Sequence, residues 1–218
     1  MEIDLLLDPF GVSWPEVREA ALAAEQAGFG GIWIWDHLAG SVHGQSHVLE
    51  CWTVLSALAT AVPRLMLGSL VLNVANRPAG TLALMAATLQ HVSGGRLLLG
   101  IGAGGGRDTP YASEQLALGR EVGGDIRRRR QVEETVATLR QVWSGASNGV
   151  GGFLRPHPPV PIIVGGFGPK VAALAGRLAD GINIPANAAG FIAVARTARQ
   201  ASEAANQPFL VTGSAGFS

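Results

Sequence analysis

The stretch from Thr81 to Gly106 constrains the fold more than any other part of the sequence, because it predicts a helix, a turn and a buried strand in succession. Alanine and leucine at helical spacing lead to Ser93-Gly94-Gly95, which is typical of a helix end. The apolar run from Leu97 to Ile101 follows at once. A strand that is apolar at successive positions is covered on both faces, as in parallel sheets packed against helices.

Glycines end this predicted strand, from Gly102 to Gly106. Glycine lets a ligand lie against bare backbone, and both barrels and open α/β sheets bind ligands at the carboxyl ends of their strands. We therefore expect the binding site near these glycines. Residues 100–105 also match the GxGxxG pattern of dinucleotide-binding folds. That fold is disfavoured, because the strand is the fourth in the chain and no helix start follows directly.

The alternation of strand and helix extends through the whole chain. Strands are predicted at 3–7, 31–35, 65–72, 97–101, 161–164, 182–184 and 209–212. Seven strands with no reversal of the sheet indicate an α/β fold of the TIM-barrel type, which normally has eight strands and about 250 residues. We expect a single domain over residues 1–218, an incomplete barrel, and sheet edges that a homodimer would cover. An irregular eighth strand near Val150 to Leu154 is the alternative.

Composition narrows the choice of partners. The 218 residues carry 16 basic and 16 acidic side chains, so we predict neither a nucleic acid nor an anionic membrane as partner. No apolar run approaches the roughly 18 residues of a membrane-spanning helix, and no targeting segment is visible. The single cysteine, Cys51, cannot form an internal disulfide, which favours the cytoplasm. A small-molecule substrate is the expected ligand.

Asp36 and His37 follow the second predicted strand and are the candidate catalytic residues. A histidine at the carboxyl end of a barrel strand can donate to a substrate oxygen or move a proton near neutral pH. The alternative is that His37 only holds the following loop in place. Four further potential metal ligands lie nearby: His43, His47, Glu50 and Cys51. Their spacing matches no known ligand pattern, so no metal site is predicted.

A second glycine-rich turn, Gly165-Gly166-Phe167-Gly168, follows the strand predicted at 161–164, and Pro169 opens a helix. Unpaired amides and the positive end of a helix dipole converge at such a turn, which favours phosphate binding.

The longest irregular segment runs from Gly106 to Gly124 and is predicted to be a lid or binding loop. The arginines at 127–130 point around the next helix in different directions, which favours a solvated face over an anion site.

These motifs resemble the luciferase-like monooxygenases and coenzyme F420-dependent oxidoreductases, a family of flavin and deazaflavin enzymes. The resemblance rests on Asp36-His37, on GSLVLNVANRP at 68–78, on SGGR with the following LGIGAG, and on IIVGGFG at 162–168. It covers the chain from the first strand to about Pro185. It implies a TIM-type barrel that transfers a hydride between coenzyme F420 and a small organic substrate.

The resemblance also implies roles for individual residues. His37 would lie beside the reactive carbon of the cofactor ring, with Asp36 in support. An uncommon cis peptide at Leu70-Val71 would support the middle of the ring, and the amides of Gly165 and Gly166 would bind the phosphate. The remaining positions implied in cofactor binding are Asn73, Gly102, Ala103, Gly104, Phe167 and Gly168.

Two alternatives within this resemblance stay open. FMN can form a peroxy adduct and support monooxygenation, whereas a deazaflavin passes hydride without activating oxygen, and Asp36-His37 favours the deazaflavin. A non-catalytic flavin-binding barrel is the other alternative, because the barrel lacks a strand. Relatives that oxidise a sugar phosphate carry a glutamate as proton donor just past the glycines. This chain has Gly105 at that position, which argues against that reaction.

Overall fold

The computed structural model describes residues 3–145, 150–204, 206 and 208–215, so the two ends of the predicted 1–218 domain lie outside the described residues. Strands and helices alternate along it. The strands are β1 Leu5–Leu7, β2 Gly31–Ile34, β3 Met66–Ser69, β4 Leu72–Asn73, β5 Leu97–Gly102, β6 Ile162–Gly165, β7 Gly181–Pro185 and β8 Leu210–Ser214. The helices are α1 Trp14–Ala27, α2 Cys51–Ala61, α3 Ala79–Val92, α4 Ala112–Ala117, α5 Asp125–Ser144, α6 Pro169–Leu178 and α7 Phe191–Ala204, with a 3-10 turn at Gly40–His43.

All strand pairs are parallel, and the order across the sheet is β1-β2-β3-β5-β6-β7-β8. Strand β4 continues the third predicted strand and pairs with β5, so the eight strands occupy seven positions. Across the described ranges no ladder joins β1 to β8, which confirms the incomplete barrel. Residues 150–154 form no strand, so the alternative of an eighth strand there is wrong.

The two faces of the sheet differ in what they pack against. On β5, Leu97, Leu99 and Ile101 are fully buried and belong to the main core with the inward faces of the helices. The intervening residues face the concave side, where Gly100 pairs with Ile163 of β6. This alternation follows from the two-residue period of a strand, and because both faces of β5 are largely buried, the carboxyl ends of the strands are left for the site.

The peptide bond between Leu70 and Val71 is cis, as the resemblance predicted, and it separates β3 from β4. Beyond it, the Val71 side chain lies over the concave face. A methyl group added at Gly102 or Gly165 would stand 2.5 or 2.8 Å from Val71 Cγ2. Glycine at these two positions is therefore required by packing inside the protein, independently of any ligand.

Helix ends follow the sequence signals. The left-handed Gly28, with a φ of 83°, ends α1, and Ser13 and Glu16 form the predicted capping box at its start. Arg96 of the SGGR motif donates to the carbonyl oxygens of Ala59 and Val62 at the end of α2, at 2.7 and 2.8 Å. Its guanidinium thus satisfies carbonyls that have no partner within the helix, which gives this motif a structural role.

The segment from Gly106 to Gly124 is more ordered than predicted, because it contains the short helix α4. In the part of the chain that the structure describes, no helix combines the length and apolar character that crossing a membrane requires.

Candidate functional site

The predicted site residues lie at one edge of the sheet. Asp36-His37 follows β2, Asn73 ends β4, and the two glycine-rich turns follow β5 and β6. Because all strands are parallel, their carboxyl ends share that edge. Contacts join them: the Asn73 amide donates to Asp36 at 2.8 Å, and the Asn73 side chain fills the space beside Gly104. These residues therefore meet at the carboxyl edge where the site was expected, whereas their roles in cofactor binding stay predictions.

Asp36 is anchored in a buried ion-pair network. Its side chain is 0% exposed and accepts from Arg77 Nη1 and Nη2 at 3.0 and 2.8 Å. Arg77 also pairs with Glu50, which accepts from the amides of Trp52 and Thr53 at the start of α2. The network ties the end of β2 to the loop after β4 and to α2. This position fits the supporting role that the resemblance implies for Asp36.

The charged forms of Arg77 and Glu50 are favoured by their partners in this network. Burial lowers the pKa of Arg77, but hydrogen bonds and charges from Asp36 and Glu50 outweigh it and raise that pKa. Burial likewise raises the pKa of Glu50, and hydrogen bonds from Thr53 and Arg77 outweigh it and lower that pKa. Arg77 and Glu50 are therefore charged near neutral pH, and their hydrogen bonds make the network a rigid frame beside the site.

His37 is held by a residue of the long segment. Its Nδ1 lies 3.3 Å from both carboxylate oxygens of Glu114 on α4. Glu114 Oε1 also accepts from the amides of Leu38 and Ala39 at 3.0 and 3.1 Å. This contact could not be predicted from the sequence, because 77 positions separate the two side chains and α4 shows no periodic signal.

Aromatic rings surround the His37 imidazole. The ring centroids of Phe10, Tyr111 and His43 lie 5.2, 5.1 and 5.4 Å from that of His37. Trp35 stacks on His43 at 5.7 Å and 12°. These rings come from the loop after β1, the end of β2, the 3-10 turn and the long segment. Phe10, Trp35 and Tyr111 form a largely apolar wall beside the His37 and His43 imidazoles, which is typical of a pocket for a small organic molecule.

The glycine turn after β5 is held by Arg128. Its Nη1 donates to the Gly104 carbonyl at 2.6 Å, and its Nη2 pairs with Asp125 at 2.7 Å. The Arg128 side chain is 16% exposed, against 64% for Arg127 and 76% for Arg130. The prediction of a solvated face therefore holds for Arg127 and Arg130 and is wrong for Arg128, which turns inward.

The space beside Gly105 is filled by other groups of the protein. A methyl group added at Gly105 would lie 2.6 Å from both Thr109 Oγ1 and Tyr111 Cβ. A larger side chain at Gly105 therefore requires the long segment to shift.

The turn after β6 departs in part from the phosphate prediction. The Gly166 amide donates to the Asn183 carbonyl at 3.1 Å and is not free for a ligand, and Gly165 packs on Val71. Gly168 precedes α6, and Phe167 is 67% exposed. Within the described residues, the amides of Phe167 and Gly168 donate to no protein group. The free donors are therefore at Phe167 and Gly168, which were also predicted to contribute, and not at Gly166, because β6 to β7 pairing extends through Gly166.

The four potential metal ligands face separate partners. His47 Nε2 lies 3.1 Å from the Val12 carbonyl, and the buried Cys51 Sγ donates to the Ile34 carbonyl at 3.5 Å. Burial raises the pKa of the Cys51 thiol well above its usual value, so it is not a nucleophile. In the ranges 3–145, 150–204 and 208–215, no three His, Cys, Asp or Glu side chains are arranged to hold a metal ion.

The chain is similar to F420-dependent enzymes. It is 32% identical over 185 residues to an F420-dependent glucose-6-phosphate dehydrogenase of Nakamurella multipartita, covering 80% of this chain and 52% of the relative. It is also 32% identical over 173 residues to an F420-dependent hydroxymycolic acid dehydrogenase of Mycobacterium tuberculosis, covering 74% of this chain and 46% of the relative. The chain thus spans about half the length of these relatives.

The fold is shared with solved structures. The structure of an F420-dependent secondary alcohol dehydrogenase in complex with an F420-acetone adduct superposes with a TM-score of 0.82, at 20% identity, over 98% of this chain and 68% of that one. A family model described as luciferase-like monooxygenase matches residues 5–214. The chain therefore belongs to the luciferase-like monooxygenase family.

Proposed function

We propose that this chain is an oxidoreductase that transfers a hydride between coenzyme F420 and a small organic substrate. The observation that carries the proposal is the position of His37. It stands at the carboxyl edge of the sheet, with Nδ1 held by Glu114 and aromatic rings on its flanks. Support for the cofactor comes from relatives about one third identical whose names specify F420.

The residues at this edge fit a flat ring with a phosphate-bearing side chain. Val71 forms a floor over the concave face, and the backbone from Gly102 through Ala103 to Gly104 offers at most a methyl group toward a ligand. The start of α6, at Phe167 and Gly168, presents free amides and the positive end of a helix dipole to a phosphate. These groups would hold the cofactor, with Asn73 beside its ring.

F420, when bound, supplies a carbon that accepts or returns a hydride. For an alcohol substrate, the carbinol carbon gives up hydrogen with two electrons, the hydroxyl proton passes to His37 Nε2, and a carbonyl product remains. In the reverse direction His37 returns that proton to the carbonyl oxygen. The chain's own contribution is to orient the substrate oxygen, move one proton and exclude water behind the aromatic wall.

Small secondary alcohols and ketones are the substrates that we propose to test first. The wall of Phe10, Trp35 and Tyr111 is apolar, and His37 is the group that would meet a single oxygen. Glucose 6-phosphate is not proposed, because Gly105 lacks a proton-donating side chain and the space beside it is filled.

We also propose that the working unit is a homodimer in the cytoplasm. Strands β1 and β8 each have one edge without a described partner strand, and Ile3 before β1 and Leu210 at the start of β8 are 60% and 45% exposed. A second copy would cover such edges. The lone buried Cys51 favours a reducing compartment. Sedimentation velocity tests the assembly, and a monomer at micromolar concentration contradicts it.

The test is turnover by the purified chain with reduced F420 and a panel of ketones. His37→Ala is expected to lower hydride transfer by about 10² to 10⁴-fold, the usual contribution of a general acid or base. His91→Ala, which changes an exposed histidine on α3, is the matched control and is expected to retain full activity. Equal activity of the two variants contradicts the role of His37.

Oxygen-dependent turnover with reduced FMN alone would instead assign the chain a monooxygenase activity. Tight cofactor binding without consumption of any acceptor would indicate a non-catalytic barrel.

A further inference from the structure

Glu114 is a buried carboxylate on the short helix α4 of the long segment. Its side chain is 6% exposed, although α4 lies in the long connection between β5 and α5. A buried charge is costly unless it is paired and hydrogen-bonded. Each partner of Glu114 belongs to the loop that follows β2: Nδ1 of His37 and the amides of Leu38 and Ala39.

The charge of Glu114 determines where His37 carries its proton. Burial raises the pKa of Glu114, but the hydrogen bonds from His37, Leu38 and Ala39 outweigh burial and lower that pKa. The group is therefore ionised at neutral pH and only accepts hydrogen bonds. The imidazole atom that faces it, Nδ1, must then bear a hydrogen. A neutral imidazole has a single N–H, so the lone pair lies on Nε2.

We propose that Glu114 is a positioning residue that holds His37 as the Nδ1–H tautomer and leaves Nε2 able to accept the proton of an alcohol substrate. The chemical use of this tautomer rests on the proposed function, whereas the tautomer itself does not require the cofactor. Glu114 belongs to the segment that follows the glycine turn of β5. The same contact therefore links the position of that segment to the tautomer of His37.

A variant separates this role from simple attachment of the loop. Glu114→Gln keeps the size of the side chain, and its amide oxygen can still accept from Leu38 and Ala39. Its NH₂ group, however, presents a donor to Nδ1, which favours the opposite Nε2–H tautomer. Glu121→Gln is the matched control, because it makes the same change in the same segment at a side chain that is 84% exposed.

Nitrogen NMR of the full chain labelled with ¹⁵N-histidine reads the tautomer directly, at a pH at which the ring is neutral. The His37 signals are identified by their loss in His37→Ala. We expect the Nδ1–H tautomer in the wild type and in the control variant Glu121→Gln. In Glu114→Gln we expect the Nε2–H tautomer. An Nε2–H wild type, or an unchanged tautomer in Glu114→Gln, overturns the proposal. The wild-type spectrum decides the question even where the variant does not fold.

Kinetics provide the second readout. Glu114→Gln is expected to lower kcat for hydride transfer by about 10²-fold, the lower end of acid–base contributions, with the Kd for F420 unchanged. Weakened F420 binding with unchanged kcat would make Glu114 a purely structural residue and overturn the proposal. A wild type that never turns over with F420 defeats the proposed function instead, and the NMR result still tests the tautomer.

Discussion

Removal of the Arg77 guanidinium is the perturbation whose cost follows most directly from the structure. Arg77→Met preserves much of the length of the side chain but deletes both hydrogen bonds to Asp36. The Asp36 carboxylate is 0% exposed and, among the residues that the structure describes, would keep the Asn73 amide alone as a donor. Breaking a buried pair by removing one partner leaves an uncompensated charge, which costs about 3 to 5 kcal/mol.

For a chain of this size, a loss of about 3 to 5 kcal/mol lowers Tm by about 6 to 20 °C. The surface pair Arg130–Glu134 provides the scale for comparison, because its side chains are 76% and 62% exposed. Arg130→Met is expected to cost below about 0.5 kcal/mol. The double variant Asp36→Asn with Arg77→Met is expected to recover about 1 to 3 kcal/mol relative to Arg77→Met, because the unpaired charge is gone.

Urea unfolding followed by circular dichroism measures all four proteins under one set of conditions. A free energy of unfolding for Arg77→Met within about 1 kcal/mol of Arg130→Met would refute the reasoning, because exposed pairs rarely exceed that value. A double variant as unstable as Arg77→Met would show that lost packing, rather than the stranded charge, causes the effect.

The remaining predictions concern packing, pH and the phosphate. Gly100→Ala places a methyl group on the carbonyl oxygen of Ser69 and should destabilise the fold by about 1 to 3 kcal/mol in urea unfolding, and a neutral result would show that β3 and β5 separate easily. The pKa of Glu114 is lowered on folding, so the excess free energy of unfolding of the wild type over Glu114→Gln should be fully present above about pH 4.3. This excess should disappear as the pH falls through the lower pKa of the folded state. An excess that grows on acidification contradicts the ionised state of Glu114. Gly168→Asp has open space around it and should weaken F420 binding through like charge, while the isosteric Gly168→Asn should not, in a fluorescence titration. Equal affinities would place the phosphate elsewhere.

Much of the framework could be predicted because it depends on local signals. Gly28 and Pro169 mark helix boundaries, and the apolar run at Leu97 marks a strand covered on both faces. Parallel strands then require that His37 and Asn73 meet at one edge. These conclusions need only the period of each element and the direction of the strands.

The side-chain partners at the site could not be predicted, because they depend on loops. Glu114 reaches His37 from a segment whose path has no periodic signature, and Arg77 selects Asp36 through tertiary packing. Gly166 was assigned to a phosphate on its motif, yet its amide continues the pairing toward β7. A motif indicates which backbone comes near a ligand, but the fate of each N–H depends on how far the neighbouring strand extends.

We propose that this chain binds a deazaflavin for hydride transfer with His37 at the reacting ring. Incubation of a C-deuterated secondary alcohol with oxidised F420 and the purified chain, followed by mass spectrometry of the cofactor, tests it directly. We expect deuterium in the reduced F420 with the wild type and at least about 10²-fold less with His37→Ala. Absence of deuterium transfer across a panel of such alcohols, with FMN rather than F420 retained by the protein, would contradict it.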